Sequence, residues 1–294
     1  MIDSVVNTKD VKDADAVILS VPYEGTVSFG TGTARAPEKI LDCLNNKVEL
    51  FDVNFLCEPA KKIKTASVSI SFLEKLPPHE AIEKVNEEYQ KLRDKFVIML
   101  GGEHTVSLGA LGAMVKKEKA SDVTILQIDA HQDLRDDTSD YDEAPRRFAH
   151  STVMRRASEL GFPIVQVGVR TFSKYEYEFW QANKNKITVF SWLCADEIPK
   201  IKEIVKSVKT KKVYLSIDVD GFNPGCMPGT GTPVQGGIKW RYGCELIEKI
   251  TREKELVGAD IVEVSPVEGS VLTEYGAAQL AYRILTNKFR NKLA

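Results

Sequence analysis

Val123-Thr-Ile-Leu-Gln127-Ile-Asp129-Ala-His131-Gln-Asp133 is the stretch that decides how this chain folds. Its apolar start reads as a strand buried on both faces. Asp129, His131 and Asp133 then follow at every second position, so in an extended backbone they share one side as the strand ends. Metal-ligand side chains leave a strand at its carboxyl end, which is where open α/β sheets place their chemistry.

Working outward, further apolar runs at 16–21, 96–100, 164–168, 187–190, 213–217 and 259–264 read as buried strands. Helical patterns lie between them near 35–46, 79–94, 105–118, 150–160, 173–184, 197–208, 240–252 and 273–287. Repeated βα units imply one mostly parallel sheet with helices on both sides, because parallel strands need crossover connections. No repeat, low-complexity segment or linker divides the chain, so residues 1–294 are expected to form a single α/β domain.

The composition, 43% hydrophobic and 28% charged with a formal charge of −2, is that of a globular protein without bulk attraction to nucleic acid or membrane. Cys43, Cys57, Cys194, Cys226 and Cys244 are odd in number, widely spaced and form no C-x-x-C, which argues against a disulfide framework or a zinc ribbon. There is no leader pattern at the start and no apolar stretch near the roughly 18 residues a spanning helix needs. A cytoplasmic location is expected.

Two long loops each follow a carboxylate-bearing strand: 134–149, with Asp136, Asp137, Asp140, Asp142 and Glu143, and the glycine-rich 221–239. Long connections in a compact domain tend to be functional. The second is read as a loop whose backbone approaches a metal site closely. Gly30-Thr-Gly32 lacks the remainder of a phosphate-loop signature, and Cys226 has no visible activating base. Trp180, Trp192 and Trp240 are read as packing residues.

Three strand ends carry ligand-type residues: Gly101-Gly-Glu-His104, Asp129-Ala-His131-Gln-Asp133 and Ser216-Ile-Asp218-Val-Asp220. Parallel strands bring these to one edge of the sheet, where two imidazoles and four carboxylates converge. Four buried carboxylates repel and lose hydration, so some must protonate unless cations compensate them. Two divalent ions bring the required charge. Mostly oxygen donors with two His and no Cys suit Mn²⁺, with Co²⁺, Fe²⁺ or Ni²⁺ as alternatives. A pair of ions about 3.5–4 Å apart would hold a water and lower its pKa from about 15.7 toward neutrality, which makes a metal-bound hydroxide the expected reagent.

With these stretches in view, the chain resembles the ureohydrolase family, the arginase and agmatinase group, most closely the prokaryotic agmatinases. The resemblance is carried by Gly101-Gly-Glu-His-Thr-Val-Ser-Leu-Gly109, Asp129-Ala-His-Gln-Asp133, His150-Ser-Thr-Val-Met-Arg-Arg156, Ser216-Ile-Asp-Val-Asp220, Pro228-Gly-Thr-Gly-Thr-Pro233 and Glu263-Val-Ser-Pro266, in family order. It implies a three-layer α/β/α sandwich with an eight-stranded sheet, a homotrimer or homohexamer, and two Mn²⁺ per protomer. One ion would be held by His104, Asp129, Asp133 and Asp218, the other by His131, Asp129, Asp218 and Asp220, with Asp129 and Asp218 bridging.

The implied reaction is hydrolysis of a guanidinium group to urea and an amine. By the same resemblance, Asp133 would aim the hydroxide and Glu263 would pair with the guanidinium. His150, at the start of a helical pattern, would shuttle a proton to the leaving amine. The acidic loop 134–149 favours a small cationic guanidine such as agmatine, giving putrescine, over one ending in a carboxylate. Arg146 and Arg147 keep 4-guanidinobutyrate and arginine open as substrates. Ser151, Asn223 and Val267-Glu268-Gly269 depart from the commonest family pattern without removing a metal ligand. Two other readings are a one-zinc deacetylase, which would not need His104, Asp133 and Asp220, and a non-enzymatic metal-binding regulator, whose expected mark is a broken ligand set.

Overall fold

The computed structural model describes residues 4–192 and 198–293. Cys194 and the first residue of the helix expected from 197 lie outside them. The strands are β1 (Ala16–Val21), β2 (Thr65–Ser69), β3 (Phe96–Gly101), β4 (Val123–Ile128), β5 (Ile164–Val169), β6 (Ile187–Ser191), β7 (Lys212–Asp218) and β8 (Glu255–Val262). The helices are α1 (Ala36–Asn46), α2 (Pro78–Lys91), α3 (Ser107–Met114), α4 (Val153–Glu159), α5 (Lys174–Ala182), α6 (Ile201–Ser207), α7 (Trp240–Glu253) and α8 (Leu272–Lys288).

All strand pairs are parallel, in the order β2-β1-β3-β8-β7-β4-β5-β6. Side chains alternate between the faces of each strand, so Ile98 and Leu100 belong to the core under α1, α6, α7 and α8, while Val97 and Met99 belong to the core under α2, α3 and α4. Three α/β/α layers result, each face of the sheet burying its own apolar cluster.

The apolar runs locate seven of these strands. β2 was not anticipated, because Thr65-Ala-Ser-Val-Ser69 has no continuous apolar run: as an edge strand it pairs only with β1 and leaves Ser67 and Ser69 exposed. β8 begins at Glu255 rather than 259 and stops at Val262, because Glu263 turns into the left-handed region at φ 63°. The described part of α6 starts at Ile201.

The order of the central strands positions the site. β3, β8, β7 and β4 are neighbours, and their carboxyl ends lead directly to His104, Glu263, Asp218 with Asp220, and Asp129 to Asp133. Connections leave this group in opposite directions, toward β2 on one side and β6 on the other, which opens a crevice above it. Gly102 lets the turn after β3 close, since a Cβ there would lie 2.0 Å from the Tyr23 carbonyl oxygen.

Candidate active site

Six predicted ligands meet above these strand ends. His104, Asp129 and Asp133 present ligand atoms within 4.8 Å of one another, as do Asp129, His131 and Asp220, and Asp129 belongs to both groups. His104 Nδ1 lies 3.0 Å from Asp133 Oδ2 and 3.3 Å from Asp129 Oδ2, while His131 Nδ1 lies 3.0 Å from Asp220 Oδ2. Asp218 stands beside both groups rather than in either: its Oδ2 is 3.7 Å from His104 Nδ1 and its Oδ1 accepts the Asp220 N–H at 2.9 Å.

Backbone geometry holds these groups in place. Asp129 accepts the His131 N–H and Asp220 accepts the Ala130 N–H, so the ends of β4 and β7 are tied by their own ligands. Asp133 sits at φ 54°, a conformation that costs a non-glycine residue on the order of 1–3 kcal/mol. Its carbonyl accepts the Met154 and Arg155 N–H groups at the start of α4, which offsets the strain by closing a helix end.

The electrostatics are set by burial and by the carboxylates' mutual charge. Burial, then the charge of Asp129, pushes the Asp133 carboxyl up to about 7. Burial and the neighbouring Asp220 and Asp129 push Asp218 well above the carboxylate range, and burial with Glu103 does the same to Glu263. Burial opposes charge on His104 and His131, but the facing carboxylates hold both rings well above the ordinary imidazole value. Burial also works against ionised Asp129, yet the two histidines keep it below the usual range. Acids that raise one another in this way favour positive charge among them.

The donors fit divalent metal ions. His104 is fully buried, and its Nδ1 has no hydrogen-bond partner although three carboxylates face it, an orphaned atom placed as a metal ligand would be. Oxygen predominates in the set, with two imidazoles and no thiol.

His131, Asp133, Asp218, Glu263 and His150 line one cavity of about 500 Å³, together with Ser28, Tyr141, Ser151, Ser173 and Glu176. Glu263 Oε1 accepts the His104 N–H at 2.7 Å, which fixes its carboxylate against the metal-facing wall. His150 is held by the loop after β1: its N–H donates to Thr26 Oγ1 at 3.0 Å, and its ring nitrogens lie 3.3 Å from Thr26 Oγ1 and 3.4 Å from Ser28 Oγ. Burial lowers its pKa. Behind it, the fully buried Glu103 accepts hydrogen bonds from Gly25 N, Thr26 N, Thr26 Oγ1 and Thr105 Oγ1.

Both long loops differ from the sequence reading. The loop acids are mostly spent on arginines: Asp136 on Arg156, Asp140 on Arg135 and Asp142 on Arg146. Their pull on a cation is correspondingly small. Arg146 also donates to the Gly25 carbonyl, and Arg147 pairs with Glu159, so neither lines the cavity. The glycines at 229, 231 and 237 of the second loop approach other backbone rather than the ligand cluster: Gly231 stacks on Gly30, Gly229 on Ser265 and Gly237 on Phe222. The loop meets the ligands at Gly221, which abuts Asp129, and at Thr232, whose Oγ1 donates to Asp220 Oδ2 at 3.3 Å. Arg170 pins this loop by donating to the carbonyls of Asp220, Val234 and Gln235.

Sequence reasoning also missed a row of buried polar side chains beneath the ligands. Gln166, Gln127, Ser216 and Asp260 are register partners across β5, β4, β7 and β8. Gln166 Nε2 donates to Gln127 Oε1, and Gln127 Nε2 donates to Asp129 Oδ2 at 2.6 Å. Only the unusual polarity of these positions inside apolar strands hinted at them.

A parallel sheet whose middle strands converge on an acid-rich cavity with ligand groups able to hold metal ions has the layout of an α/β enzyme site. Comparison with known proteins narrows the class. The arginase family model matches residues 14–286. The chain is 33% identical to an N(1)-aminopropylagmatine ureohydrolase of Synechocystis sp., over 93% of this chain and 89% of that protein. It is 30% identical to an agmatinase of Bacillus subtilis, over 90% and 88%. The crystal structure of the agmatine ureohydrolase of Thermoplasma volcanium superposes with a TM-score of 0.84 at 26% identity, covering 99% of this chain and 95% of that one. The chain belongs to the arginase family and is a ureohydrolase.

Proposed function

We propose that this enzyme hydrolyses the guanidinium group of agmatine to urea and putrescine, using two Mn²⁺ ions held by His104, Asp129, His131, Asp133, Asp218 and Asp220. The observation that carries the reading is the pair of ligand groups sharing Asp129 at the wall of a cavity that also presents Glu263 and His150. Divalent ions held by these residues would supply the positive charge that lowers the pKa of water toward neutrality.

The chain's own residues supply the rest. Glu263, anchored through Oε1, pairs with the flat guanidinium and fixes the plane of its carbon. This matters because a guanidinium spreads its charge and resists attack. Asp133 faces both the cavity and the ligand groups, so it orients the attacking water by accepting a hydrogen bond from it. His150, kept neutral by burial, takes up the proton that the attacking water gives up and passes it to the departing amine.

The substrate's tail is read as an amine. Neutral hydroxyls of Tyr141, Ser151 and Ser173 line the outer cavity with Glu176, and Arg135, the one arginine among the lining residues, is paired with Asp140. A second reading, N(1)-aminopropylagmatine, is favoured by the names of similar proteins from Synechocystis sp. and Thermus thermophilus. Urea release with Mn²⁺ present, measured on agmatine, N(1)-aminopropylagmatine, arginine and 4-guanidinobutyrate, decides between them. The amine-ended compounds should exceed the carboxylate-ended ones in kcat/KM by about 100-fold. Equal or better turnover of arginine would overturn the assignment of the tail.

A further inference from the structure

Beneath the ligand groups lies a buried polar chain that the proposed chemistry does not use. Asp260 of β8 and Ser216 of β7 are register partners, and Tyr214 lies two residues before Ser216 on the same face. All three are fully buried. Tyr214 OH donates to Asp260 Oδ2 at 2.8 Å, and Ser216 Oγ donates to Asp260 Oδ1 at 2.7 Å. Ser216 Oγ also lies 2.9 Å from His104 Nε2.

The direction of these bonds can be worked out. A serine hydroxyl has one proton to give, and Ser216 gives it to Asp260, so toward His104 it can only accept. His104 Nε2 must then carry the proton. A neutral imidazole with Nε2 protonated has its lone pair on Nδ1, the atom that faces Asp129, Asp133 and Asp218 with no hydrogen-bond partner. The carboxylate therefore reaches the ligand through a hydroxyl, where a direct carboxylate–histidine contact is the more familiar device.

We propose that Asp260, acting through Ser216, is a positioning residue that locks His104 in the tautomer able to bind metal through Nδ1. The inference rests on the metal-centre reading above and concerns the His104 side of it alone. Asp260 touches neither substrate nor metal. A fully buried carboxylate at mid-strand is costly to keep, and holding two hydroxyls in a fixed sense gives it a use.

The test is Mn²⁺ binding by calorimetry to chelator-treated protein, comparing wild type with Asp260→Asn and Ser216→Ala. Wild type should take up two ions. In both variants one ion should bind as before and the other, on the His104 side, should weaken 10–100-fold. Met99→Ala is the packing control, since Met99 is the other register partner of Asp260 and carries no polar proton. It should lower thermal stability and leave both affinities unchanged. With Zn²⁺ in place of Mn²⁺, ¹⁵N spectra of the histidines should place the His104 proton on Nε2 in wild type and lose that signature in Asp260→Asn.

Uptake of no ion by wild type would sink the metal-centre reading and this inference together. Two ions in wild type with unaltered affinities in both variants, or equal weakening of both ions, would overturn this inference alone. So would a selective loss in Met99→Ala. Ser216→Ala removes only one oxygen, so the test stands even where Asp260→Asn fails to fold.

Discussion

Removing the metal should make the folded protein less stable as pH rises, and the structure sets the size of the effect. The Asp133 carboxyl is raised from 3.8 to about 7 by burial and by Asp129. Between those values the folded state holds a proton that the unfolded chain has released, so unfolding free energy falls with rising pH. Three units at about 1.4 kcal/mol each amount to about 4 kcal/mol from this group. Asp218 is raised too and acts in the same sense. His104 and His131 are raised as well, and their stabilisation, complete below about 6.5, is lost as pH passes their folded values. Asp129, lowered, acts only at acid pH, where its stabilisation is lost.

Divalent ions take the place of those protons, so their stabilisation should grow over the same interval, reaching about 2.7 kcal/mol at one hundred times the Kd. The assay is thermal unfolding from pH 5 to 8.5 after chelation, with and without Mn²⁺. Metal-free Tm should fall by roughly 5 °C across the range from Asp133 alone, since about two of its three units lie above pH 5, and further from the groups that act in the same sense; Mn²⁺ should flatten or reverse that slope. A metal-free Tm that is level or climbs between pH 5 and 7.5 would refute the reasoning, because the buried acids would then need no compensation.

Other outcomes follow from single residues. Asp129→Asn should lower both metal content and rate, since Asp129 belongs to both ligand groups; elemental analysis beside a urea assay checks it. His150→Asn should keep the full metal content and lose about 10²–10³ in kcat, most of it at neutral pH, read from a pH–rate profile. Glu263→Gln should retain metal and fold but raise KM for agmatine, because the paired charge is gone; unchanged KM would remove Glu263 from substrate binding. Gly102→Ala should cost more than about 3 kcal/mol or fail to fold, since its Cβ would lie 2.0 Å from the Tyr23 carbonyl oxygen; denaturant unfolding tests it.

Much of this was legible in the chain because the ligands sit where strands end. Asp129-x-His131-x-Asp133 and Asp218-x-Asp220 follow apolar runs that locate β4 and β7, and a parallel sheet leaves such ends on one edge. What escaped the sequence has physical reasons. β2 has an exposed side and no apolar run to announce it. The row formed by Gln166, Gln127, Ser216 and Asp260 depends on strand register, which brings together positions up to 133 residues apart only once the sheet is paired. Glu103 stands beside His104 in the sequence, yet its task of holding Thr26 and, through it, His150 depends on the fold of the loop after β1. The pull of loop 134–149 on a cation was overestimated because Asp140 and Asp142 pair with Arg135 and Arg146 inside the loop, and Asp136 pairs with Arg156 of α4, whose packing the sequence does not give.

The central claim is that these buried acids hold a pair of divalent ions that activate water for attack on a guanidinium carbon. Its most direct measurement is Mn²⁺ titration of chelator-treated protein, with urea release from agmatine followed in the same samples. Two ions per chain should bind, and urea release should appear with them. Binding of fewer than two ions, or full urea release from metal-free protein, would contradict the account.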